Sequence, residues 1–170
     1  GDQLAWLDVQ VEPKRVYVHE PIRIRVAFGI QSGVRVVQER LSNGQPYFDA
    51  EVQAPWLMEF PGGEPIEAPR PDGDVCIVVL QRTPVYALRE QNHERNGERW
   101  TRYVFERSFL PTRLGKIELS APMLRYQRLV REGQQDIFGG RRGQQSENFF
   151  VYGKPISIEV LPIPEAGRPT

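Results

Sequence analysis

The run IRIRVAF, residues 22–28, restricts this chain more than any other stretch. Ile22, Ile24, Val26 and Phe28 occupy alternate positions, with Arg23, Arg25 and Ala27 between them. A helix would scatter those two sets around its circumference, whereas a strand sends them to opposite faces. The chain therefore builds a sheet with one buried and one wet face. The same period returns in LDVQVEP (Leu7, Val9, Val11), KIELSAP (Ile117, Leu119, Ala121) and KPISIEVLP (Ile156, Ile158, Val160). WTRYVFERSF sets Tyr103, Phe105 and Phe109 on one face, interrupted by Arg107.

Helical signals are thin. VYALREQNHER is the only candidate, and a strand suits it better because it runs into Asn96-Gly97 and an extended pattern follows. Asn-Gly is a strong hairpin signal, since both residues tolerate the positive φ of a type I′ turn. Ser42-Asn43-Gly44 predicts a second turn. With 15 Pro and 15 Gly spread between short runs, the pattern predicts an all-β fold, an Ig-like antiparallel β-sandwich with one long Gly/Gln/Arg-rich loop. Residues 1–164 are expected to form this module, and 165–170 the start of a linker to a following one.

Two loops and one corner punctuate the chain. PGGEPIEAPRPDGD, residues 61–74, is proline-rich and reads as an extended link between strands. REGQQDIFGGRRGQQSEN, residues 131–148, is a long loop with Ile137 and Phe138 at its middle and Arg141-Arg142 beyond them. A loop of that length inside a compact domain is uncommon, and it is either a solvated hairpin tip or a contact surface. The solvated tip is the plainer reading, but it has no use for Ile137 and Phe138, so Ile137, Phe138, Arg141 and Arg142 are the candidate partner-binding residues. In FLPTRLGK, Pro111 fixes φ and removes a donor, and Gly115 permits a conformation closed to its neighbours. Pro122 then suits only a strand end or edge. The segment is expected to turn a corner.

Composition removes several function classes. With 22 basic against 22 acidic residues, the chain lacks the excess that nucleic acid or an acidic membrane surface demands. No apolar stretch approaches the roughly 20 residues needed to cross a bilayer, and no signal peptide begins at Gly1. The opening GDQLAWLDVQV looks like a boundary inside a longer chain. Cys76, the single cysteine, lies in the apolar run DVCIVVLQ and is expected to be a buried small hydrophobe.

Chemistry-bearing constellations are absent. His19 and His93 lie in turn contexts, with no ligand spacing that suggests zinc. No G-x-S-x-G elbow or phosphate loop occurs. Asp72 and Asp74 in RPDGDV read as a turn rather than a calcium site. No catalytic residue, metal or cofactor is expected, and the chain reads as a non-enzyme. The competing reading is a carbohydrate-binding sandwich built on Trp6, Trp56 and Trp100 with Tyr17, Tyr47, Tyr103 and Tyr126. Trp6 and Trp56 sit in apolar surroundings that suit core packing, whereas Trp100 falls on the face opposite Tyr103 and Phe105 and is expected to be exposed. Arg23 and Arg25 are the ordinary means of solvating a sheet face.

Three pieces of the sequence resemble a known family. VEPKRVYVHEPIRIRV is similar to the opening of the BatD-type aerotolerance (oxygen-tolerance) proteins, with His19 where the family commonly has Gly. NGERWTRYVFERSFLPTRLGKIELSAPMLRY resembles the family's hairpin, aromatic strand and corner. DIFGGRRGQQSENFFVYGKPISIEVLPIPEAGRPT resembles its loop, return strand and closing Val160, Pro162, Pro164, Gly167, Pro169 run. The resemblance implies an exported, periplasmic or extracytoplasmic Ig-like module of a protein anchored by a C-terminal membrane helix. It further implies partners among von Willebrand A-type membrane proteins linked to a MoxR-class ATPase, with no catalytic residues carried over. On this reading the module is a scaffold or adaptor. It binds through the long loop or by a partner strand adding to an exposed sheet edge.

Overall fold

A computed structural model describes residues 3–131, 134–135, 141–142 and 145–164, with 131, 134–135 and 141–142 described by backbone pairing alone. In chain order the strands are β1 (Ala5–Glu12), β2 (Arg15–Tyr17), β3 (Ile22–Gln31), β4 (Gln38–Arg40), β5 (Pro46–Gln53), β6 (Gly63–Ile66), β7 (Val75–Leu80) and β8 (Thr83–Arg95). They continue with β9 (Glu98–Pro111), β10 (Gly115–Leu119), β11 (Met123–Arg131), β12 (Gln134–Gln135), β13 (Arg141–Arg142), β14 (Gln145–Tyr152) and β15 (Ile156–Leu161). A 3-10 turn, Pro55–Leu57, follows β5.

The main sheet runs β1-β3-β9-β8-β7-β5-β11-β14, with β4 added to β5 and β6 to β9. A smaller sheet runs β10-β15-β2, and β12 pairs with β13. The fold is all-β and sandwich-like, as the alternation requires. Within it β5 pairs with β7, and β15 with β2, in parallel, so the sheets are mixed rather than wholly antiparallel. The main sheet curls until its end strands β1 and β14 come within 8 Å at Cα atoms.

Alternation decides the core. Ile22, Ile24, Val26 and Phe28 are fully buried, and Ile117, Leu119, Ile156, Ile158 and Val160 of the smaller sheet join the same hydrophobic cluster. Tyr103 fills its centre, with ring centroids 5.0 Å from Phe28 and 5.2 Å from Phe48. Burial raises its phenol pKa, because the ionised form would lose its hydration. Cys76 is buried as expected, and desolvation pushes its thiol up to about 11 against the opposing charge of Arg89.

The turns follow the sequence signals. Asn96 and Gly97, with φ of 53° and 79°, join β8 to β9. Gly44 has φ of 84° in the turn before β5. The proline-rich link contributes β6, paired to the end of β9. At the corner, β9 ends on Pro111 in the main sheet, and β10 starts on Gly115 (φ 109°) in the smaller one. The chain changes sheets there and returns after Pro122. The corner is architectural.

One expectation fails. Trp100 is only 5% exposed, although it does lie on the outer face. That face is covered locally: Trp6 lies over Gly29, where an added Cβ would fall 2.5 Å from the indole. Trp6 meets Trp100 edge-on at 6.3 Å, and Arg95 stacks on Trp6 at 4.1 Å. A register shift in β8 between Glu90 and His93 brings His93 opposite Trp100. Parity gave the side correctly, and the neighbours decided the exposure.

Candidate binding edge and outer face

Within the stretch read as a long loop, the described residues are paired strand. β11 and β14 pair from Met123/Tyr152 to Leu129/Ser146, shift by one residue, and resume at Arg131/Gln145. Gln134/Arg142 and Gln135/Arg141 keep that second register, so the described pairs of this stretch follow one antiparallel ladder. The sequence hid this because Gln, Gly and Arg lack the β-branched and aromatic pattern of a strand. Of the candidate partner residues, Arg141 and Arg142 lie on β13; Ile137 and Phe138 lie outside the described residues.

Hydrogen-bond phase shows which backbone groups of β14 are free. The Gly153 N–H donates to the Pro122 carbonyl at 2.8 Å, in register with the β11–β14 pairs. Bonded pairs recur every second residue in an antiparallel ladder. Glu147, Phe149 and Val151 therefore turn their backbone groups toward β11, while Ser146, Asn148, Phe150 and Tyr152 turn theirs to the other edge. The Leu129 N–H donating to the Arg35 carbonyl, on the side of β11 away from β14, fits the same phase. No described strand pairs with that edge of β14. Apolar side chains flank it on both faces. Phe150 and Tyr152 are 50% and 69% exposed, and inward-facing Phe149 and Val151 are only half-buried.

Register also builds rows on the outer face. Gln53, Met123 and Tyr152 form one, and Glu51, Arg125 and Phe150 the next. Arg125 is the hub: it reaches Asp49 at 2.9 Å, Glu51 at 3.7 Å and the Asn148 side-chain oxygen at 3.3 Å. Gln53 donates to Glu51 at 3.3 Å. Burial raises the pKa of neighbouring Tyr47, and the charges of Asp49 and Glu39 add to the effect.

At one end of these rows the two-residue turn from β7 to β8 leans over the face. Gln81 and Arg82 have φ of 46° and 65°, a left-handed conformation that costs about 1–2 kcal/mol for each non-glycine residue. The turn is held from outside: the Arg82 N–H donates to Glu51 Oε2 at 2.7 Å, and the Gln81 N–H to the Val52 carbonyl at 3.1 Å. Gln81 Oε1 is buried with no hydrogen-bond partner. Glu51, Gln53, Gln81, Arg82, Met123 and Tyr152 border an open trough of about 710 Å³.

The other residues raised by the sequence have structural surroundings. Trp6 and Trp56 are 4% and 5% exposed, and the Trp56 indole N–H donates to the Ser120 carbonyl at 3.0 Å. With Trp100 also buried, no tryptophan is available as a stacking platform. Asp74 is engaged by Arg89 through two bonds of 3.0 and 3.1 Å. His93 contacts Glu90 at 3.4 Å, and His19 lies in a turn with φ of 69°. Among the described residues no group of three His, Cys, Asp or Glu is placed to hold a metal ion. Sequence reasoning missed the Gln81-Arg82 turn, whose only signal is the polar pair between VCIVVL and TPVYAL. It also missed the aromatic pair within NFFVYG. No protein-family model, curated protein or solved structure matches this chain.

Proposed function

We propose that the chain is a non-catalytic, extracytoplasmic interaction module of a membrane-anchored, BatD-type aerotolerance protein, taking a partner's extended segment as a further strand on β14. The free edge of β14 carries the reading. An unpaired row of N–H and C=O groups is a template for strand addition. Natural edges are commonly guarded by proline or by inward-pointing charge. Between Phe149 and Tyr152 this edge has neither, and it is apolar on both faces. The fitting guest is an extended stretch of consecutive apolar residues, which would cover Phe150 and Tyr152 on one face and Phe149 and Val151 on the other. Arg141 and Arg142 lie on β13 in the register that continues the β11–β14 ladder, and with Ile137 and Phe138 they are the further contact residues proposed. A von Willebrand A-type membrane protein linked to a MoxR-class ATPase is the partner class that the family resemblance brings.

The test uses Asn148→Pro. The Asn148 N–H faces the open edge, so proline there removes no backbone bond to β11, costs only the exposed side-chain contact with Arg125, and blocks an incoming strand. Wild-type chain used as bait on detergent-solubilised membranes of the source organism is expected to recover a von Willebrand A-type protein, and Asn148→Pro to lose it. Undiminished recovery by a folded Asn148→Pro variant would overturn strand addition. Recovery of no such protein by the wild type would overturn the adaptor reading itself.

A further inference from the structure

We infer that the outer face of β5, β11 and β14, closed at one end by the Gln81-Arg82 turn, binds a neutral saccharide chain. The site shares Phe150 and Tyr152 with the proposed guest strand but otherwise uses side chains of the face rather than the backbone of the β14 edge, so its tests differ from that of strand addition. Three observations carry it.

The first is the turn. Two consecutive left-handed non-glycine residues are held in place by Glu51 and Val52. Such strain persists where the surroundings over-determine it, and it clusters at ligand sites. The second is the orphan oxygen. Gln81 Oε1 lies buried without a donor, beside an open trough of about 710 Å³ that its own residue borders. A buried acceptor needs a donor, and the Gln81 carboxamide gains one by turning toward the trough to meet a ligand hydroxyl.

The third is the composition of the face. Tyr152 and Phe150 stand exposed at alternate positions of one strand, roughly 7 Å apart along it. Inboard of them lie a carboxylate, a guanidinium and carboxamides already ordered by mutual contacts at Glu51, Arg125 and Gln53. A sugar ring has the matching chemistry: an apolar C–H face to stack on an aromatic, and a rim of hydroxyls that both donate and accept. Planar groups with two donors or two acceptors suit adjacent hydroxyl pairs. Charge selects a neutral ligand, because Asp49 and Glu51 would repel an anionic chain, while Arg125 and Arg82 would repel a cationic one. The trough volume falls in the range of sites that enclose small-molecule ligands. Its lining mixes the polar Glu51, Gln53, Gln81 and Arg82 with the apolar Pro55, Ala121 and Met123, as a ligand with apolar ring faces and hydroxyl rims requires.

Isothermal titration of the full chain with two probes tests this: β-1,4-linked hexasaccharides of glucose and of N-acetylglucosamine. At least one is expected to bind saturably. Tyr152→Ala is expected to weaken it roughly tenfold, with Tyr152→Phe retaining most of the affinity. Gln81→Leu should also weaken binding, whereas Tyr17→Ala, an exposed aromatic on the other sheet, should not. Failure of both hexasaccharides to bind the folded chain at millimolar concentration would overturn the inference. So would wild-type affinity in both Tyr152→Ala and Gln81→Leu.

Discussion

The strand β8 is flanked by two turns of the same size made from opposite materials. At one end Asn96-Gly97 joins it to β9 with φ of 53° and 79°; at the other, Gln81-Arg82 joins it to β7 with φ of 46° and 65°. Both have the two positive φ values of the type I′ hairpin, whose twist matches that of its strands. Asn and Gly adopt that conformation readily, while Gln and Arg resist it. The Asn96-Gly97 turn folds on local preference. The Gln81-Arg82 turn leans on Glu51 from a neighbouring strand, over a face with exposed aromatics at its margin. The hairpin needs the positive φ values in either case; the proposed saccharide site accounts for why Gln and Arg, rather than Asn and Gly, carry them here.

Exchanging the turns should break the comparison most visibly. Asn96→Gln with Gly97→Arg is expected to destabilise the chain by about 2 kcal/mol, seen as a lower urea midpoint, without touching saccharide binding. The reverse change, Gln81→Asn with Arg82→Gly, is expected to stabilise by about 1–2 kcal/mol while weakening the saccharide. A stabilised variant with full affinity would mean that the turn serves no site.

His19 sharpens the contrast. It has φ of 69° and borders no part of the trough, so His19→Gly should raise stability by about 0.5–1 kcal/mol and leave binding unchanged. The smallest effect lies near the β8 register shift. Burial of Glu90 favours its neutral form, but the charge and hydrogen bond of Arg102, with help from His93, outweigh it and hold the carboxyl below its usual pKa. Its stabilising contribution is therefore present above the unfolded-state value and lost as pH falls through the folded one. Arg102→Ala should shallow the acid limb of the stability profile, measured by urea midpoints across pH, and leave the neutral plateau nearly level.

The fold was legible where side chains alternate. IRIRVAF, KIELSAP and KPISIEVLP declare their buried faces, and Asn96-Gly97 declares its hairpin. Exposure was less legible, because Trp100 is covered by Trp6, which reaches across from a strand remote in sequence and finds room over Gly29. The edge and the trough were scarcely legible at all. Which side of β14 lies free depends on the order of strands in the sheet, and the rows through Arg125 depend on the pairing of three strands. Period-two reading assigns faces along one strand, not neighbours across several. The strained turn was invisible because Gln-Arg has no turn chemistry; only the backbone angles reveal it.

The central functional claim is that one edge of β14 is free to receive a strand. Residue-resolved amide hydrogen exchange of the isolated chain tests it most directly. Alternation is expected: Glu147, Phe149, Val151 and Gly153 slow, and Ser146, Asn148, Phe150 and Tyr152 fast. Uniform protection along the strand would show the edge already paired and would contradict the account.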